Sequence, residues 1–293
     1  MMREALPTQS VVVGIDGSAS AEHAAVWAAD EAVSRDIPLR LVYAVDPANV
    51  DRGESARELA DARLALRRAV ATVELAGKPA KIETEIVQAR PIVALLKASR
   101  SAAITCVGSA SLEHHARNPI CSIDSALIAA ARGQVAVVYK RAYSTASERG
   151  LILAVVEGPQ ISSATLDSAV FESALQEAVL RDGPLRVLTV WPPRRADTCD
   201  FAGAAFDNWA AQAQIDSVLS RWRCSHPELD LQSAETHGSL PNYLEYLARN
   251  AIPTQLVVVD PRQPNVTGSL FATSGRAVLD ATGCSVLSCG RER

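Results

Sequence analysis

Three short polar segments each follow an apolar run that could form a buried strand. They are Asp16-Gly17-Ser18, Ala44-Val45-Asp46 and Gly108-Ser109-Ala110-Ser111. In a parallel sheet covered by helices, ligands bind beyond the carboxyl ends of the strands, where the strand order reverses. Helix N-termini point to the same place, and their free N–H groups attract anions. The segments therefore predict a site for a phosphate-bearing ligand, although this preference is generic to the architecture and selects no particular nucleotide.

Thiols and histidines offer weaker signals. The six cysteines form no Cys-x-x-Cys pair, which favours small core side chains in a reducing compartment. Cys121 stands at the N-terminus of a predicted helix, where a thiol can become reactive, so a redox sensor stays an alternative. Glu113-His114-His115 contains metal-binding residue types. Neighbouring side chains point apart and no further His or Cys stands at helical spacing, so we expect a solvated loop and no metal site.

Recognisable catalytic motifs are absent from the sequence. It contains no Gly-x4-Gly-Lys-Ser/Thr loop, no Gly-x-Gly-x-x-Gly turn and no Gly-x-Ser-x-Gly elbow. Nothing pairs a nucleophile with a base at a recognisable spacing. We therefore expect a protein that binds and signals without catalysis.

Composition excludes several classes of protein. At 293 residues with 48% hydrophobic and 21% charged residues, the chain suits two globular domains. The net charge of −4 does not favour binding to nucleic acid or to an anionic membrane, both of which attract basic surfaces. No apolar run approaches the ~20 residues that span a bilayer, and the first residues lack the apolar core of a signal peptide. We expect a cytoplasmic protein.

Apolar strands alternate with helical patterns along the first half. This order predicts an α/β fold with a mainly parallel sheet, doubly wound with helices on both faces. Ser18 is a candidate N-cap for the first helix, whose alanines should lie close on the sheet. The expected strands are 11–15, 39–45, 81–87, 104–107 and 135–139, and the expected helices are 19–35, 54–76, one from residue 91, and 120–131.

The second half repeats the first. Arg35-Asp36-Ile37-Pro38-Leu39-Arg40 recurs as Arg181-Asp182-Gly183-Pro184-Leu185-Arg186, with Glu-Ala-Val just upstream in both copies. A repeat this long indicates a duplicated domain. We therefore predict tandem doubly wound domains at 8–140 and 151–290, joined by a polar linker at 141–150. The later strands are expected at 151–156, 229–234, 255–259 and 285–287, with helices at 202–224 and 241–250.

These residues resemble the universal stress protein family. The resemblance rests on Val-Val-Val-Gly-Ile-Asp-Gly-Ser at 11–18, Leu-Val-Tyr-Ala-Val-Asp at 41–46 and Cys-Val-Gly-Ser at 106–109. It covers nearly the whole chain, more clearly in residues 8–140, and the tandem order is similar to the two-domain members. It implies the adenine nucleotide alpha hydrolase-like fold and a role in the stress response.

The family also implies where a nucleotide would bind. Members that bind ATP carry Gly-x2-Gly-x9-Gly-Ser/Thr after the fourth strand and an acid after the first. Here Asp16 matches the acid, Gly108 the first glycine and Ser122 the Ser/Thr, while Ala44 would offer backbone groups to the base. The implied ligand is ATP or AMP, in the first domain. The second and third glycines are replaced by Ser111 and Cys121.

Those replacements bear on affinity. Glycine supplies the positive φ that lets backbone N–H groups touch phosphate. Forcing a side chain into left-handed geometry costs about 1–2 kcal/mol. Two replacements could cost about 2–4 kcal/mol, or roughly 30- to 1000-fold in affinity. An alternative is that the loop has rebuilt itself.

The second domain departs further from the motif. Asp260, Gln263 and Thr273 occupy the three glycine positions, only Ser274 matches, and Glu157 stands in for the acid. We expect the carboxylate of Asp260 to repel phosphate and the second domain not to bind ATP.

Two further functional hypotheses remain besides that of an ATP or AMP sensor. One is an adaptor for an unidentified protein partner that has lost its nucleotide and works as a homodimer. Edge pairing through 135–139 or 285–289 would join domains or chains. The other is a thiol sensor at Cys121.

Overall fold

The computed structural model describes residues 9–47, 55–109, 123–140, 149–158, 161, 169–192 and 201–290. The chain divides into two compact units. Unit 1 comprises Met1–Lys140 with Gly290–Arg293, and unit 2 comprises Arg141–Cys289.

Unit 1 is a five-stranded parallel sheet in the order β3-β2-β1-β4-β5. Its elements are β1 (Ser10–Ile15), α1 (Ala19–Ser34), β2 (Leu39–Val45), α2 (Ser55–Leu75), β3 (Ile82–Gln88), α3 (Pro91–Ala98), β4 (Ala102–Gly108), α4 (Ile123–Ala130) and β5 (Gln134–Val138). The predicted α/β fold with parallel strands is confirmed.

Unit 2 has the equivalent order, β8-β7-β6-β9-β10, again parallel. Its elements are β6 (Leu151–Glu157), α5 (Ala169–Arg181), β7 (Leu185–Trp191), α6 (Phe201–Ser225), β8 (Leu231–His237), α7 (Leu240–Arg249), β9 (Thr254–Val259), α8 (Pro264–Phe271), α9 (Thr273–Thr282) and β10 (Ser285–Ser288). The short helices α8 and α9 are missing from the sequence prediction, because residues 264–282 carry several Thr, Ser and Gly of low helix propensity.

The central strand of each unit forms the core. Val11, Val12 and Val13 of β1 are fully buried, as are the inner residues of β6. The alanine face predicted for α1 is buried on the sheet, which confirms that small side chains let this helix lie close. The helical spacing in α2 predicts an apolar stripe of Leu59, Ala62, Leu66, Ala69 and Val73. The structure leaves Leu59 37% exposed and buries the other four residues.

The repeated Arg-Asp-x-Pro sequence ends a helix in the same way twice. Asp36 and Asp182 have φ of 49° and 48°. After α1, the N–H of Ile37 donates to the Ala32 carbonyl (3.0 Å) and the N–H of Asp36 to that of Val33 (3.2 Å). This pair of bonds is a Schellman motif, in which a left-handed residue satisfies the last carbonyls of a helix. The repeat therefore marks a chain reversal into the second strand of each unit.

A third helix ends in the same motif with a less suitable residue. Ala251, after α7, has φ of 54°, and the N–H of Ile252 donates to the Leu247 carbonyl at 3.0 Å. An alanine in left-handed geometry is strained by about 1 kcal/mol or more, whereas glycine adopts it at no steric cost.

Replacing Ala251 with glycine should therefore stabilise the protein. We expect Ala251→Gly to raise the free energy of unfolding by up to about 1 kcal/mol in urea titrations. The matched control is Ala71→Gly, at an exposed position inside α2, which should lower it by about 1 kcal/mol. A loss of stability in Ala251→Gly would contradict the assignment of strain.

Candidate functional site

The predicted binding residues of unit 1 converge where the strand order reverses. β2 and β3 lie on one side of β1, and β4 and β5 lie on the other. The register pairs Ile15 with Tyr43 and Val13 with Cys106. Asp16, Ala44 and Gly108 therefore stand together at the carboxyl ends of β1, β2 and β4, which we call the mouth. Ser122 directly precedes α4 but lies outside the described residues.

Asp16 begins a tight turn from β1 into α1. Its Oδ1 accepts the N–H of Ser18 at 2.9 Å, and Gly17 has φ of 84°. Ser18 Oγ accepts the N–H of Ala21 at 3.2 Å, which confirms Ser18 as the N-cap of α1. Asp16 itself is exposed. Its carboxylate, which has several acceptor sites, can therefore take further hydrogen bonds from a ligand hydroxyl.

Gly108 is required by packing. A Cβ at this position would collide with the backbone of Ser20 and would lie 2.7 Å from the nitrogen of Ala21. The end of β4 thus passes directly beneath the first turn of α1. The glycine that matches the family motif has a structural reason that does not involve a ligand.

The β2 side of the mouth is acidic. Burial raises the pKa of the Tyr43 phenol, and the carboxylates of Asp16, Asp61 and Glu58 raise it further. A negative potential here opposes a phosphate group close to β2. A nucleotide in the mouth would therefore place its sugar and base near β2 and its phosphate on the β4 side.

The equivalent place in unit 2 is occupied by the chain itself. The register makes Glu157, at the end of β6, the counterpart of Asp16. Its buried carboxylate accepts the backbone N–H groups of Asn265 and Val266, both at 3.0 Å, and the side-chain amide of Asn265 at 3.1 Å. These are N–H groups of the first turn of α8, so the carboxylate sits where a helix N-terminus would attract a bound anion.

Asp260 does not act as the sequence suggests. Its carboxylate is buried and pairs with Arg262, whose Nη2 lies 2.7 Å from Oδ2 and whose Nε lies 3.0 Å from both oxygens. The expected repulsion of phosphate is therefore largely cancelled by a local guanidinium. Unit 2 is closed instead by Glu157 and by Trp191, whose indole ring packs on Gly158 so closely that a Cβ there would overlap it.

The position of Glu157 at the end of β6 is predictable from the sequence, but its bonds to the start of α8 are not part of the prediction. The signal that could have revealed it is Pro264, since proline is common at the first position of a helix. A helix starting there would present its free N–H groups to the end of β6.

Most cysteines in the described residues are buried. Cys106, Cys284 and Cys289 are buried, and burial raises the pKa of Cys289 to about 12, whereas Cys224 is exposed. Among the residues described, no group of three or more His, Cys, Asp and Glu side chains could hold a metal ion. Ser111, Cys121 and Glu113-His114-His115 lie outside the described residues.

Comparison with known proteins identifies the class. The family model described as "Universal stress protein family" matches residues 7–139. The chain is 37% identical over 294 residues to universal stress protein Rv2028c of Mycobacterium tuberculosis, covering 99% of each. It is 38% identical to universal stress protein Rv3134c of the same species, covering 88% of this chain and 91% of that one.

A solved structure shares the fold. The crystal structure of a universal stress protein from Archaeoglobus fulgidus superposes with a TM-score of 0.63 at 15% identity, covering 96% of both chains. The strand order and the mouth define a doubly wound α/β protein with its candidate site at the strand-order reversal. With the two mycobacterial relatives, this establishes that the chain belongs to the universal stress protein family. None of the helices in the described ranges is long and apolar enough to cross a membrane.

The packing role of Gly108 is testable without a ligand. We expect Gly108→Ala to lower the free energy of unfolding by about 1–3 kcal/mol, because the new methyl group overlaps the backbone of α1. The control is Gly268→Ala, inside α8, where no atom lies within 4 Å of the added Cβ. That change should raise stability by up to about 1 kcal/mol. Equal effects in chemical denaturation would refute the packing argument.

The anchoring role of Glu157 predicts a loss of stability. Glu157→Gln removes the charge that binds the first turn of α8 and replaces one acceptor oxygen with a donor. We expect the free energy of unfolding to fall by about 1–3 kcal/mol. Glu235→Gln, at an exposed position of β8, should change it by less than about 0.5 kcal/mol. Native-like stability of the Glu157 variant would show that its hydrogen bonds contribute nothing.

Proposed function

We propose that this universal stress protein binds one adenine nucleotide, ATP or AMP, at the mouth of unit 1. Asp16, Ala44, Gly108 and Ser122 supply the contacts. The observation that carries the proposal is the exposed carboxylate of Asp16. It lies at the carboxyl end of β1, where the strand order reverses. Binding shifts the population of conformations that a partner recognises, without turnover.

The sugar is recognised by Asp16. One of its oxygens holds the turn through Ser18, and the carboxylate remains exposed to solvent. Ribose hydroxyls are donors that match such an acceptor, as in dinucleotide-binding folds. The acidic surroundings of Tyr43 favour this neutral part of the ligand over its phosphate.

The base is recognised by the backbone at the end of β2. The Pro38 carbonyl accepts from Val11 of β1, and the Val45 carbonyl accepts from Ala89 beyond β3. Because carbonyls alternate along a strand, that of Ala44 points towards β1. β1 ends at Ile15, so the ladder leaves this carbonyl without a strand partner. The exocyclic amine of adenine is a donor that suits it.

Unit 2 does not share this activity in our proposal. Its helix N-terminus is occupied by Glu157, and Trp191 covers Gly158. The expected stoichiometry is one nucleotide per chain. The matching strand orders support the further proposal that unit 2 is a diverged copy of unit 1.

We infer that the protein is a cytoplasmic homodimer that regulates the stress response and catalyses no reaction. Light scattering at micromolar protein concentration, with and without nucleotide, measures the assembly directly.

Equilibrium dialysis with labelled ATP and AMP tests nucleotide binding. We expect one site per chain, and Asp16→Ala should weaken binding about 10- to 100-fold, since it removes a charged acceptor. The control is Asp36→Asn, at the opposite end of the sheet with an exposed carboxylate, which should bind like the parent protein. No binding at millimolar nucleotide would reject the proposal and favour the nucleotide-independent adaptor.

A further inference from the structure

The edge strand of unit 1 presents unpaired main-chain groups. Within the described residues, β3 pairs only with β2. The Lys81 carbonyl accepts the N–H of Leu39 at 2.8 Å, so every second residue from 81 bonds to β2. The N–H and C=O groups of Ile82, Thr84 and Ile86 therefore point away from the sheet. Such a row is a template for one more strand.

A groove runs along this edge between α2 and β3. Its volume is about 650 Å³. The groove has an apolar floor with two arginines and one glutamate, and its residues include Leu66, Val70, Thr84, Ile86, Arg63, Arg67 and Glu74. Both arginines are exposed. We call this feature the α2–β3 groove.

Unit 2 provides an internal reference for the α2–β3 groove. The register pairs Leu39 with Ile82 and Leu185 with Leu231, which makes Ile82 and Leu231 equivalent. Counting from these residues matches Thr84 with Ser233. The same count matches the three charged groove residues Arg63, Arg67 and Glu74 with Gln212, Asp216 and Arg223.

In unit 2 these side chains close the edge. Gln212 Nε2 donates to Ser233 Oγ at 2.9 Å and to Asp216 Oδ1 at 2.9 Å. Arg223 Nη2 donates to the Leu231 carbonyl at 2.8 Å, which is one of the outward-pointing groups of β8. Helix α6 is thus fastened to its edge strand, and one of the main-chain acceptors that an added strand would use is already occupied.

At two of these three positions, unit 1 has residues that cannot make the same bonds. Glu74 stands where Arg223 donates, and a carboxylate has no proton to give to the Ile82 carbonyl. Arg67 replaces an aspartate and Arg63 a glutamine. The bonds that fasten α6 to its edge strand in unit 2 are therefore not repeated in unit 1, and two of the three positions carry the opposite charge.

We propose that the α2–β3 groove binds an extended acidic segment of a partner protein, which adds as a strand beside β3. Arg63 and Arg67 are one helical turn apart, so their Cβ atoms are separated by about 6 Å. Alternate residues of a strand are separated by about 6.6 Å on one face. The segment recognised therefore carries two acidic residues with one residue between them, both facing α2.

A second copy of this chain fits the groove poorly. Antiparallel pairing of two β3 strands about Thr84 would place Glu83 of one strand opposite Glu85 of the other. Like charges directly opposite destabilise a pair of strands. The same pairing would offer no carboxylate to Arg63 or Arg67. Charge complementarity thus selects an acidic partner over self-association.

Fluorescence polarisation with a defined peptide tests the proposal on the full-length protein. The probe is a short fluorescein-labelled peptide with glutamates at alternate positions and valine and threonine between them. We expect it to bind, and we expect Arg63→Gln/Arg67→Asp to weaken it about tenfold or more. This double variant carries the residues of unit 2. Arg57→Gln, at an exposed position of α2 that does not line the groove, is the matched control and should bind normally.

The strand geometry has its own readout. Bound peptide should slow hydrogen exchange of the Thr84 and Ile86 amides, and a proline in the centre of the peptide should abolish binding because it removes a main-chain donor. No binding of the glutamate peptide would overturn the proposal. Equal binding of a lysine peptide, equal binding to the double variant, or unchanged exchange at Thr84 and Ile86 would overturn it as well.

Discussion

The N–H groups at the start of a helix need acceptors, and the parallel sheet directs several such helices to the same edge. In unit 2 the carboxylate of Glu157, at the end of β6, accepts the free N–H groups of Asn265 and Val266 at the start of α8. In unit 1 the hydroxyl of Ser18 accepts the N–H of Ala21 at the start of α1, and the shorter side chain of Asp16 is exposed. The carboxylate at the end of the first strand thus binds a helix N-terminus in unit 2 and is exposed in unit 1.

The same architecture also leaves an edge strand in each unit, and the two edges differ in chemistry. Gln212 and Arg223 fasten α6 to β8 through hydrogen bonds to a side chain and to a carbonyl. Their counterparts Arg63 and Glu74 leave α2 and β3 separated by the α2–β3 groove. Unit 2 is thus closed at both its mouth and its edge. In unit 1 the carboxylate of Asp16 is exposed, and within the described residues β3 pairs only with β2.

Local sequence predicted well wherever one interaction decides the structure. Ser18 caps α1 because a hydroxyl at this position reaches the N–H of Ala21. Alternation of apolar runs and helical patterns predicted the parallel sheet, and the copied Arg-Asp-x-Pro marked two equivalent turns. Prediction failed where side-chain conformation decides. The carboxylate of Asp260 is paired with Arg262, two residues along the chain, and Leu59 in the apolar stripe of α2 is 37% exposed.

The sequence by itself determined the family, the α/β class, the repeat and the residues that end the strands, because all of these depend on order and spacing along the chain. Only the tertiary structure decided that Glu157 binds the start of a helix while Asp16 is exposed. Glu157 and α8 are separated by more than a hundred residues. Trp191, at the end of β7, packs on Gly158, which follows the neighbouring strand β6. Whether a carboxylate faces solvent or binds a helix N-terminus depends on which distant N–H groups the fold brings within hydrogen-bonding distance. No pattern local to Asp16 or Glu157 contains that information.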